Sequence, residues 1–190
     1  QLRARTNVAD TAPWCRAITI TEQLLALTTR SSATCGDIAG LLDTIILPCV
    51  QHHDDELRNR AVLALGLFCL LDVRTAQKYL LVFLQVVKMD AELLRATAAR
   101  SIFDMLHLYG CGPFTIVEDD GSRECVPLDR LAELLQEESS ALLLSVAVEG
   151  FAKLLLANKV HSAKILSRLA TLFFHPCTEE SPALRQTLSA

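Results

Sequence analysis

The chain has 190 residues, of which 51% are hydrophobic but only 5% aromatic, and its formal net charge is −4. Seven Gly and six Pro leave little material for a turn-rich β fold, and an apolar content dominated by Leu, Ala, Val and Ile favours helix. The acidic balance excludes a chain whose whole surface grips nucleic acid, because neutralising phosphates needs clustered Lys and Arg, but it leaves room for a basic stripe on one face.

The length suffices for one sizeable core or a short repeat array. The first residue is Gln1 rather than Met, so the chain is expected to be a segment of something longer. Residues 1–11 read as a polar lead-in, and residues 12–190 as the folded array.

Pro13 suits the first turn of a helix running to about Arg30. Thr34, with Asp37 three residues on, predicts a cap for a second helix through Leu47, which Pro48 kinks or ends. Asp54 and Asp55 open a third helix, apolar on most sides, which therefore needs cover on more than one face. Asp72 is expected to cap a fourth helix and Asp90 a fifth, the latter carrying Leu94, Ala98, Ile102 and Met105. Gly110–Val126 then breaks the pattern and reads as a loop inserted between repeats, long for such a connection, which either docks a partner or is disordered, the polar run Glu118–Glu124 favouring disorder. Pro127 starts a sixth helix, Ser139 caps a seventh, and Ser162 caps an eighth ending near His175. Ser181 and Pro182 begin a last one.

Short links make successive helices antiparallel neighbours. One register recurs: Leu57, Ala61 and Leu65 line up with Leu94, Ala98 and Ile102, and again with Leu143, Ala147 and Phe151. A helical hairpin repeating about every 40 residues is the HEAT or armadillo period. The expected fold class is therefore all-α, a HEAT-repeat α-solenoid of about four stacked antiparallel helix pairs with one loop inserted near 110–126.

The cysteines (15, 35, 49, 69, 111, 125 and 177) are odd in number, widely spaced and without a C-x-x-C pair, which suits a reducing cytosolic or nuclear compartment. The longest apolar run, Ala61 to Leu71, is far short of the roughly 18–20 residues of a membrane span.

Several strings occur in a fixed order: LLDTIILP at 41–48, LRNRAVLALGLFCLLD at 57–72, Ile102–Phe103–Asp104, Tyr109–Gly110, Pro113–Phe114, VAVEGFAKLLL at 146–156, LSRLATLFFHP at 166–176 and LRQTLS at 184–189. Together they resemble the C-terminal HEAT region of the condensin non-SMC HEAT-repeat subunits of the CAP-G type, over roughly residues 38–190. The resemblance implies a non-enzymatic subunit, found on nuclear chromosomes and in the cytoplasm for part of the cell cycle. It implies binding to a kleisin subunit of the CAP-H type, through it to the SMC ATPase subunits, and with the kleisin to double-stranded DNA. It implies no cofactor, membrane partner or small-molecule substrate. The repeat echo alone equally allows a generic HEAT adaptor that takes a partner peptide on its concave face.

Two basic groups are candidate DNA contacts. Arg58 and Arg95 occupy equivalent repeat positions, with Arg60 and Arg100 nearby. A ladder of arginines paired with acids such as Asp54, Asp55 or Glu92 is the plainer reading, and the third equivalent position, Leu144, ends any stripe. Lys153, Lys159, Lys164 and Arg168 form the second group, with Lys164 and Arg168 on one helix face. It touches phosphate or is simply a solvated face.

No metal site is expected. His52–Asp55 reads as a polar turn with a helix cap, and His107, Cys111 and Cys125 lack the paired spacing of structural zinc. No glycine-rich phosphate loop and no recognisable catalytic pattern of Ser or Cys with His occurs. Ser31–Ser32 and Ser139–Ser140 are explained by capping.

Overall fold

Asp54 shows how this chain starts its helices. Its backbone is extended, and its carboxylate accepts the amide hydrogen of Leu57 at 2.9 Å, satisfying one of the donors that the first turn leaves open. Ser140 and Ser162 do the same for Leu143 and Ile165. In the computed structural model, residues 11–28, 36–117, 123–137, 140–175, 178 and 182–188 are described. The expected cap at Thr34, the helix start at Ser181, Ser31–Ser32 and residues 1–10 lie outside them.

The chain forms two compact units, residues 1–72 and 73–190. In the first, α1 (Ala12–Leu27) packs against α4 (Asp55–Cys69). Between them in sequence come α2 (Gly36–Leu41), a π turn (Leu42–Ile46) and α3 (Leu47–Val50), and these last two also pack on α4. The π turn has a local cause. Pro48 has no amide hydrogen to offer the carbonyl four residues back, and its ring would crowd it. The chain widens by one residue instead, with the Leu47 amide donating to Leu42. Pro48 thus reshapes the helix without stopping it. Ile18, Leu25, Ile46, Leu57, Leu65 and Phe68 make the core of this unit.

The second unit contains α5 (Val73–Met89), α6 (Glu92–Tyr109), α7 (Val126–Glu137), α8 (Ala141–Leu156), α9 (Ala163–Phe173) and α10 (Pro182–Leu188). α5 lies on α6, α6 on α8, α7 on α8, and α10 on α8 and α9. α6 and α8, two helices apart in sequence, therefore stack directly, as a series of helix hairpins requires. The recurrent register falls where burial should: Leu57, Leu94 and Leu143, then Ala61, Ala98 and Ala147, then Leu65, Ile102 and Phe151 are all buried.

Two expected caps need correction. The cap position of α6 is Ala91, whose side chain has nothing to offer; Asp90, one residue earlier, accepts the Ala91 amide hydrogen at 2.9 Å. The cap of α8 is Ser140, not Ser139. The described flanks of the inserted loop form regular structure, and most of its polar run, residues 118–122, lies outside the described residues. A 3₁₀ turn (Gly112–Phe114) leads into β1 (Thr115–Val117), which pairs antiparallel with β2 (Arg123–Cys125) in the register Thr115–Cys125, Ile116–Glu124 and Val117–Arg123. Buried Phe114 and a hydrogen bond from Gln77 Nε2 to the Pro113 carbonyl (2.6 Å) tie the turn to α5.

Candidate functional site

The eight basic residues singled out from the sequence divide by what their side chains do. Arg58, on α4, is half-buried; it pairs with Asp55 at 3.0 Å and donates to the His52 carbonyl at 3.4 Å. Arg60 reaches α1, donating to Thr19 Oγ1 at 3.1 Å and lying 3.7 Å from Glu22. Arg95 donates its Nε hydrogen to the Val87 carbonyl at 2.7 Å, and Arg168 donates its own to the Leu135 carbonyl at 2.9 Å. Val87 and Leu135 lie in the last turns of α5 and α7, where carbonyls lack helical partners and the helix dipole favours a cation. Arg58 pairs with Asp55 of its own helix rather than with an acid of an adjacent repeat, and the partners of Arg95 and Arg168 include carbonyls rather than only carboxylates.

Arg100, Lys153, Lys159 and Lys164 are exposed. The structure brings two of them, from different sequence groups, to one place. Asp104 on α6 feels Arg100, His107 and Lys153 together, with Glu149 opposing them. Partial burial raises the Asp104 carboxyl above its ordinary range, and the three basic neighbours pull it back. Lys153 also pairs with Glu149 at 2.5 Å. Lys164 and Arg168 do not act as one face, because the Arg168 guanidinium is turned to α7.

Sequence reasoning missed Lys88 and Arg130. They line, with Arg95, a cleft of about 600 Å³ between α5 and α7 that also presents Leu81, Leu84, Val126 and Leu134. Arg130 pairs with Glu133 at 2.9 Å across one helical turn. The α5–α6 hairpin alone would have brought Lys88 near Arg95. Arg130 was hidden because the inserted loop obscures which helix follows α6 in the stack. Among the described residues, no group of three or more His, Cys, Asp or Glu is placed to hold a metal ion, and no helix is long and apolar enough to cross a membrane.

Stacked helix pairs, a core register repeated on alternate helices and clefts between neighbours define a helical-repeat protein of the HEAT type. Residues 16–190 match the family of nuclear condensing complex subunits, C-terminal domain, and the chain belongs to that family. Human condensin complex subunit 3 is 30% identical over 204 residues, covering 96% of this chain and 20% of that protein. Its counterpart from Schizosaccharomyces pombe is 33% identical over 148 residues, covering 78% of this chain and 16% of that one. The chain thus spans about a fifth of the length of these relatives. A chain in the crystal structure of the S. pombe condensin Cnd3–Cnd2 subcomplex superposes with a TM-score of 0.82 at 30% identity, covering 93% of this chain and 23% of that one.

Proposed function

We propose that this chain is a non-enzymatic HEAT-repeat segment of a condensin subunit, which scaffolds the kleisin and contributes with it to binding chromosomal DNA during mitotic condensation. The observation that carries this reading is the superposition on a chain of the Cnd3–Cnd2 subcomplex at 30% identity across nearly the whole length. The SMC ATPases are reached through the kleisin, and the place of action is the nucleus and chromosomes, with a cytoplasmic phase.

In this reading Arg100, Lys153, Lys159 and Lys164 are the phosphate contacts, because these residues are exposed. Arg60, Arg95 and Arg168 contribute chiefly by holding helices together, and Arg58 by fixing the turn that precedes its own helix. The mixed apolar and basic cleft between α5 and α7 suits a partner segment that carries leucine-like anchors and acids.

The test has two arms. Kleisin fragments are captured on the immobilised chain, and failure of every fragment to bind sinks the scaffold role. Duplex binding by the chain–kleisin complex is then titrated against salt. Replacing the four exposed cations by Glu should weaken binding and flatten the log–log slope by about 0.9 for each phosphate that is no longer neutralised. An unchanged slope in a folded variant removes DNA from the proposal. Peptide capture without any duplex affinity would point instead to a general HEAT adaptor.

A further inference from the structure

We propose that Cys111 and Cys125 form a dithiol modification site, which a small anionic disulfide converts to an intramolecular disulfide at the base of the β hairpin. The two thiols are hydrogen-bonded to each other. Their proximity follows from local geometry. Cys111 ends the segment after α6 in helical conformation, and its carbonyl accepts both the Phe114 amide hydrogen (2.9 Å) and the Thr115 hydroxyl hydrogen (2.9 Å). That tight turn folds Cys111 back beside Thr115, and Thr115 is the residue that Cys125 faces across the strand pair.

The pair is also accessible. Both thiols are half-buried and line one hollow of about 520 Å³, with Thr115, Lys159 and His161 on its wall. Lys159 is exposed and supplies a cation for the carboxylates of a reagent such as oxidised glutathione. The other described core thiol with a strong perturbation, Cys69, is buried and inert by contrast. The hydrogen bond donated by Cys125 stabilises a thiolate on Cys111 and lowers its pKa, while Cys125, as donor, is raised. Cys111 is thus the attacking sulfur and Cys125 the resolving one.

The Cys111 thiolate attacks one sulfur of the small disulfide, breaking its S–S bond and releasing one small thiolate. Cys125 then gives its proton to that thiolate or to solvent, attacks the Cys111 sulfur and expels the second small thiolate. The protein dithiol is oxidised to a disulfide and the reagent is reduced to two thiols. The product links the turn after α6 covalently to the strand before α7.

The test uses the full chain, freed of reductant and exposed to oxidised glutathione at neutral pH, then acid-quenched and mapped by mass spectrometry. The expected product is a Cys111–Cys125 disulfide. In Cys125→Ser the reaction should stop with glutathione on Cys111. In Cys111→Ser, modification of Cys125 should be at least about tenfold slower than that of Cys111 in the wild type. Unmodified Cys111 under conditions that modify Cys15 would overturn the proposal. So would a wild-type protein that retains glutathione on Cys111 beside a free Cys125.

Discussion

Gly150 of α8 sits directly under the ring of Phe103 of α6, so close that a Cβ at that position would overlap Phe103 Cγ and both Cδ atoms. Phe103 in turn meets Phe151 edge-on, with centroids 5.1 Å apart. The glycine sets how near α6 and α8 approach. Gly150→Ala should raise helix propensity by up to ~1 kcal/mol. The overlap opposes this gain and costs ~1–3 kcal/mol, because both helices are packed on their other sides. The net expectation is destabilisation, read as a lower denaturation midpoint at constant m-value. A neutral or stabilised variant would mean that the Phe103 ring moves aside freely.

Arg95 and Arg100 lie five residues apart on the same helix and should fail in opposite ways. Arg95→Ala removes the donor to the Val87 carbonyl and should cost ~1–2 kcal/mol of stability. Arg100→Ala, on an exposed position, should stay within about 0.5 kcal/mol of wild type. In duplex binding by the chain–kleisin complex the order should reverse, with only Arg100→Ala reducing the salt slope. Paired denaturation and salt titrations decide it. A stability loss for Arg100→Ala larger than for Arg95→Ala would refute this division.

These residues also mark what a sequence reader sees. The register of Leu57, Leu94 and Leu143 was legible because burial repeats with the helix hairpin, and nothing tertiary overrode it. Asp54 and Ser162 were legible as caps for the same local reason. The basic residues were legible as charges but not as roles. Whether an arginine meets a phosphate or a helix-terminal carbonyl depends on which helix end lies beside it. The hairpin was invisible because strands of three residues, Thr115–Val117 and Arg123–Cys125, are too short for an alternation pattern. Cys111 and Cys125 meet only because that hairpin forms, so their spacing in sequence carries no signal. Pro48 announced a break, but the sequence did not say that one extra residue per turn would absorb it.

Ser140 tests the corrected helix start. Its hydroxyl oxygen accepts the Leu143 amide hydrogen at 3.2 Å, and its hydroxyl hydrogen goes to Glu92 at the start of α6. Ser140→Ala should therefore cost ~1 kcal/mol, and Ser140→Asp less, since the carboxylate still caps but is repelled by Glu92. Thermal or chemical denaturation ranks the two. If Ser140→Asp is the more damaging, the interaction with Glu92 outweighs the cap.

Cys69 makes stability depend on alkaline pH. Its thiol is fully buried on α4, and burial, with a smaller push from Asp72, raises its pKa from the ordinary 9.0 to about 12. The folded state therefore holds the proton more tightly than the unfolded chain does. Below the unfolded value both states are protonated and the contribution is fully present. Above it the unfolded thiol ionises first, so stability falls through the window from about 9 to about 12, at up to ~1.4 kcal/mol per pH unit. Cys69→Ala should lose some stability at neutral pH through the cavity it leaves. Its denaturation midpoint should nonetheless decline less steeply than that of the wild type across the alkaline window, with reductant present. Parallel curves for the two proteins would mean that ionisation of this thiol is not what the alkaline transition reports.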